Sequence, residues 1–176
     1  MSIHLFAVEP FALKSRLAEP VSDFLRWLYH ETDQSLCELV EQQLSTHCGV
    51  DIDELERAQT PLSQLLSLYP ELAVPVLRAL SVRSFVDEQP DYLGYTIEQL
   101  TGRDLTVDRL EDLLLDEDFW DEVIDLVDQL ELNPTPTSEL LDWESLRLLA
   151  DVYATAVANQ LRLVLVKGIQ IHNLSF

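Results

Sequence analysis

Apolar positions recur at three- and four-residue spacing along most of the chain, the period of a helix with one buried face. Phe24, Leu25 and Leu28 share such a face behind Ser22, a residue able to cap. Leu36, Leu39 and Val40 continue it approximately, so this stretch reads as one helix to about Cys48, or as two with a break near Thr32. Gly49 stands where a helix end takes a left-handed residue. Asp51 with Glu54 three residues on has the pattern of a capping box for a short helix over 52–58. Thr60-Pro61 sets a capping residue before a proline at the first helical position. Pro70 and Pro75 divide the next stretch, which predicts a short helix over 71–83 with Pro75 in its first turn. DEQPDYLGY at 87–95 reads as a loop, and Thr96 with Gln99 as a second capping box for a short helix closed by Gly102.

Residues 104–132 predict two helices. A single one would bring Asp121 onto the face of Leu110 and Leu114, and a restart at DED, 116–118, removes that conflict. NPTPTS at 133–138 is a connector too short to separate domains. The last long helix is expected from about Ser138 through Trp143, Leu146, Leu149, Ala150 and Tyr153, continuing to Lys167 with Gly168 as its cap. Period-2 alternation of Leu161, Leu163, Leu165, Ile169 and Ile171 fits a hairpin about Lys167-Gly168 instead. SIHLFAV at 2–8 reads as a short strand that a C-terminal IQIHN strand would pair with. The expected fold is mainly α: a single-domain helical bundle over 1–176, with room for one short two-stranded β element joining the termini.

Charge changes this picture of an ordinary bundle. The 176 residues carry 32 Asp+Glu against 11 Lys+Arg, a formal net charge of −21, while apolar residues make up 47% and suffice for a core. A surface that neutralises phosphates needs clustered bases, so direct nucleic-acid binding is excluded. Four scattered glycines leave no dinucleotide or P-loop fingerprint, and two cysteines cannot build a disulfide framework or a four-cysteine zinc site. Residues 1–20 show no secretory signal, because Glu9, Pro10 and Lys14 interrupt the apolar run. The apolar run at 161–166 is too short to span a bilayer and contains Arg162. An anionic membrane surface would repel so acidic a chain. The expectation is a cytoplasmic protein with reduced thiols and no membrane association.

The excess is concentrated: residues 104–144 hold fifteen acids and a single base, Arg109. On a helical projection of the segment after Asp118, Phe119, Trp120, Val123, Ile124, Leu126, Val127 and Leu130 fill an arc of about 160°. Asp121, Glu122, Asp125 and Asp128 lie on the opposite side, with no Lys or Arg among them. Asp121, Asp125 and Asp128 are neighbours at i, i+4 and i+7, where like charges cost roughly 0.2–0.5 kcal/mol per pair. Asp116, Glu117 and Asp118 sit at the helix start, where the backbone dipole favours anions. Asp125, Asp128 and Glu131 have no such compensation. A charge run usually serves solubility alone, and acidic composition by itself produces such faces. Lack of compensating bases and concentration in one block distinguish this one. Trp120, at the edge of the apolar arc, suits either an interface anchor or a core residue.

Other chemistries find little support. His30, Cys37, His47 and Cys48 resemble a metal cluster, but seven residues of helix separate His30 from Cys37 by about 10 Å of rise, too far for one ion. Glu38/Glu41, Glu122/Asp125 and Asp125/Asp128 are i, i+3 pairs of the kind facing helices use to hold Mg²⁺, yet no basic cluster accompanies them to hold phosphate. The acidic loop lacks the glycine and alternating donors of a calcium hand. No nucleophile elbow is present. No catalytic residue, metal or cofactor is therefore assigned. The expected function is a non-catalytic acidic binding protein that sequesters or inhibits a basic partner, such as a toxin or a nucleic-acid-binding protein, in the manner of an immunity protein or a DNA mimic. Its site would be Asp116, Glu117, Asp118, Asp121, Glu122, Asp125 and Asp128, with Trp120 as anchor. The alternatives are a Mg²⁺-dependent all-α nucleotide hydrolase and a chaperone of a secreted effector, and a homodimer is compatible with all three.

Overall fold

The computed structural model describes residues 2–88, 90–102, 112, 116–133, 143–168 and 170–174. The chain divides into two compact units: Val8–Val82 forms one, and Met1–Ala7 with Arg83–Phe176 forms the other. The protein is mainly helical, as its periodicity predicts, and carries a four-stranded sheet.

The contiguous unit is built from helices. α1 (Pro10–Ala18) is a helix the periodicity does not announce. Glu9 caps it by accepting from the Phe11 and Ala12 amides, and Pro10 occupies the first position, where no amide is needed. α2 (Val21–Glu31) and α3 (Gln34–Cys48) are separate, broken at Thr32. The Thr32 hydroxyl donates to the Leu28 carbonyl at 2.7 Å and Asp33 accepts from the Leu36 amide at 2.9 Å, so both ends at the break are satisfied. The break resets the helical phase, and the buried face of α3 is Cys37, Val40 and Leu44, while Leu39 is exposed. Ser22 is not a cap but lies buried in the first turn of α2. Gly49 ends α3 at φ +67°.

α4 (Ile52–Leu55) is shorter than expected, and the Asp51 side chain makes no capping bond. α5 (Leu62–Leu68) starts after Pro61 rather than at it. The Leu62 amide donates to the Glu19 carbonyl, and the Thr60 carbonyl accepts from Val21, so main-chain bonds replace a side-chain cap. A 3-10 turn over Pro70–Leu72 leads into α6 (Ala73–Leu80), with Pro75 in its first turn. The core here comprises Val21, Phe24, Leu25, Leu28, Val40, Leu44, Leu62, Leu72 and Val76, together with Cys37, Leu55, Leu65 and Ala79.

The discontinuous unit sets helices on a sheet. β1 (Ile3–Val8), β2 (Ser81–Asp87), β3 (Arg162–Lys167) and β4 (Gln170–Leu174) lie in the order β2-β1-β3-β4. The expected two-stranded element is thus too small, and IQIHN pairs with β3 rather than with the N-terminal strand. β3 and β4 form an antiparallel hairpin with Val166 opposite Ile171 and Lys167 opposite Gln170, turning at Gly168, φ +61°. The Gly168 amide donates to the Ser2 carbonyl, so the end of β3 lies beside the start of β1.

The expected continuation of the last helix to Lys167 is therefore incorrect, and the alternative, a hairpin about Lys167-Gly168, is what forms. β3 is buried on both sides: Leu163 and Leu165 join the helix-covered core, and Val164 and Val166 are buried on the other face. A strand buried on both faces shows a continuous apolar run, which periodicity cannot tell from a helix.

β2 likewise replaces the end of the helix expected over 71–83. It follows α6 with no intervening loop, and the Ser81 hydroxyl donates to the Arg78 carbonyl at the junction. α7 (Pro90–Thr101) takes most of the stretch read as a loop. Leu93 and Ile97, four apart, are fully buried, and Thr96 is a buried helix-interior residue rather than a cap. Gly102 follows at φ +72°.

α8 (Glu117–Leu132) and α9 (Trp143–Ala158) complete the unit. Of the helix expected before residue 116 only Asp112 is described, and the expected start of the last helix at Ser138 lies outside the described residues. α9 ends with Gln160 at φ +54° and the Leu161 amide on the Ala156 carbonyl. The shared core joins Ile3, Leu5 and Ala7 of β1 to Leu163 and Leu165 of β3, Leu93 and Ile97 of α7, and the inner faces of α8 and α9.

Candidate functional site

The candidate site is the outer face of α8. Its geometry follows from which residues the core takes. Phe119, Trp120 and Val123 are fully buried and Val127 nearly so, each contributing about 1.5–3 kcal/mol through burial. That inner stripe fixes the rotation of the helix about its axis. The positions between then point outward, and Glu117, Asp118, Asp121, Asp125 and Asp128 are exposed, while Asp116 and Glu122 are half-buried.

Asp116 is the N-cap: its carboxylate accepts from the Asp118 amide at 3.0 Å. Glu117 and Asp118 follow in the first turn, where they complement the positive end of the helix. Asp116 and Glu122 are engaged with other groups of the protein. Among the described residues, Glu117, Asp118, Asp121, Asp125 and Asp128 have no Lys, Arg or His within ion-pairing distance. The row from Asp118 to Asp128 rises about 15 Å along the axis.

Trp120 is not an anchor at the rim. It is 0% exposed, stacked on Tyr153 of α9 and set edge-on to Phe119 at 5.2 Å. Its place in the site is indirect, as the support that locks α8 onto α9. The position near the edge of the apolar arc is covered by Tyr153, a neighbour that a projection of one helix does not include.

The row stops at its C-terminal end. Glu131, the last acid of α8, pairs with Arg147 of α9. This compensates a carboxylate placed where the helix dipole is least favourable to it. Beside the pair, Asp128 and Asp151 flank a cleft of about 110 Å³ whose floor includes Ile124, Val127, Ala150 and Ala154. Asp151 in turn lies 3.9 Å from Arg83 of β2. Sequence reading of one helix misses Arg147, because the compensating base comes from the adjacent antiparallel helix.

The field of the acidic face reaches inward. Tyr153 is pushed above its ordinary value by burial first, then by the charges of Glu117 and Asp121. A phenolate next to two carboxylates is disfavoured, so Tyr153 stays a neutral hydroxyl far above neutral pH.

The residues weighed for other chemistry lie on α2, α3 and α8. Cys37 is buried on α3, its thiol 3.5 Å from Glu41 Oε1 and pushed up to about 11 by burial and then by Glu41. Cys48 at the end of α3 is half-buried and also pushed up by burial. Glu38 and Glu41 belong to the contiguous unit, and Glu122 and Asp125 to the discontinuous one. Among the described residues no group of three His, Cys, Asp or Glu side chains is disposed to hold a metal ion. Among the same residues no helix is long and apolar enough to cross a membrane.

Comparison with protein-family models, with curated proteins and with solved structures finds no match to this chain.

Proposed function

We propose that the protein is a non-catalytic acidic binding protein whose α8 face sequesters or inhibits a basic partner. The observation that supports this reading is the row Asp118, Asp121, Asp125 and Asp128: exposed, backed by a rigid apolar stripe, and without a basic neighbour among the described residues. Carboxylates so arranged substitute for a line of phosphates. They attract cations over about a Debye length, speed encounter, and align with Lys or Arg on a complementary surface. A partner that has evolved to grip an anionic polymer, such as a nuclease-like toxin or a DNA-binding protein, presents such a surface.

The test compares the wild-type chain with the Asp121→Asn/Asp125→Asn/Asp128→Asn variant as immobilised bait. Retained proteins are identified by mass spectrometry, and the affinity of each purified candidate is then titrated against NaCl. The expected outcome is a basic protein held by the wild type in the nanomolar range, weakening steeply with salt, and held far less by the variant. Equal retention by both chains, or an affinity indifferent to salt, overturns the proposal.

A further inference from the structure

We draw no further inference here: the strongest candidate, the cluster in which the Tyr29 hydroxyl of α2 donates to Glu56 with Glu41 close by, beside a cavity of about 300 Å³ lined by Ser22, Leu25 and Arg26, is an acidic cluster with nothing in the structure to show what it would bind.

Discussion

The Trp120 indole lies flat against the Tyr153 ring, 4.3 Å between centroids and 9° from parallel. This stack joins the beginning of α8 to the later turns of α9, while Glu131 and Arg147 join their opposite ends. The two contacts together hold the helices antiparallel and keep the carboxylate row facing away from the core.

Truncating the stack should therefore cost more than a surface aromatic would. Trp120→Ala is expected to lose about 3–5 kcal/mol, the range for large aromatics removed from packed cores. Urea unfolding followed by far-UV circular dichroism measures it. A loss under about 1 kcal/mol would mean that the indole is not packed as described.

Neutralising the row should leave the fold intact. In the triple variant Asp121→Asn/Asp125→Asn/Asp128→Asn, the like-charge neighbour pairs that these acids make with one another and with Glu117, Asp118, Glu122 and Glu131 disappear, each worth roughly 0.2–0.5 kcal/mol. Its thermal midpoint is expected to equal or exceed that of the wild type. A clear fall would show these carboxylates to be structural.

Salt should stabilise the wild-type protein. Self-repulsion across an uncompensated acidic block is screened once the Debye length shrinks to about 10 Å, near 0.1 M ionic strength. The thermal midpoint should rise between low and moderate NaCl, and rise less in the triple variant. A flat or falling wild-type midpoint contradicts the unneutralised row.

Tyr153 supplies a pH test. Its proton is held more tightly in the folded state than in the unfolded chain, for which the ordinary value is 10.0. The associated stability is fully present below that value and is lost as pH rises through the folded one. Ultraviolet titration should show Tyr153 ionising late, identified by its absence in Tyr153→Phe. Glu117→Gln with Asp121→Asn should move the midpoint down only partway, since burial is the larger cause. No movement at all would place those charges elsewhere.

Cys37 should resist modification. With its thiol pushed up to about 11, roughly one molecule in a thousand carries a thiolate at pH 8. Alkylation at that pH should be slow in the native protein and fast after unfolding, read by mass spectrometry of the Cys37 peptide. Equal rates would contradict both its burial and its carboxylate neighbour.

The orientation of α8 is legible in the sequence because its apolar positions repeat cleanly and one face only is needed for the core. The acids on the other face follow by exclusion. The fate of Trp120 and Glu131 is not legible, because Tyr153 and Arg147 come from a second helix whose pairing with the first leaves no mark on either one's periodicity. The sheet hides for other reasons. β3, buried on both faces, carries an apolar run that fits a helix as well as the hairpin its leucine alternation allows, and β2 begins directly at the end of α6 without Gly, Pro or Asn to mark the change. Leu93 and Ile97 of α7 carry a helical signal that Gly94 and the neighbouring tyrosines mask.

The strand order has a consequence for how the protein is made. β1 is synthesised before its partners, and one of the two, β3, follows more than 150 residues later. The residues of the contiguous unit are all made before β3, and the sheet cannot be completed until β3 and β4 have been made. Meanwhile Ile3, Leu5 and Phe6 remain uncovered on a nascent strand. Such long-range pairing slows folding and exposes intermediates to aggregation. Heterologous production should accordingly improve with slower expression at lower temperature, or with added holdase chaperones, before any change to the sequence is attempted.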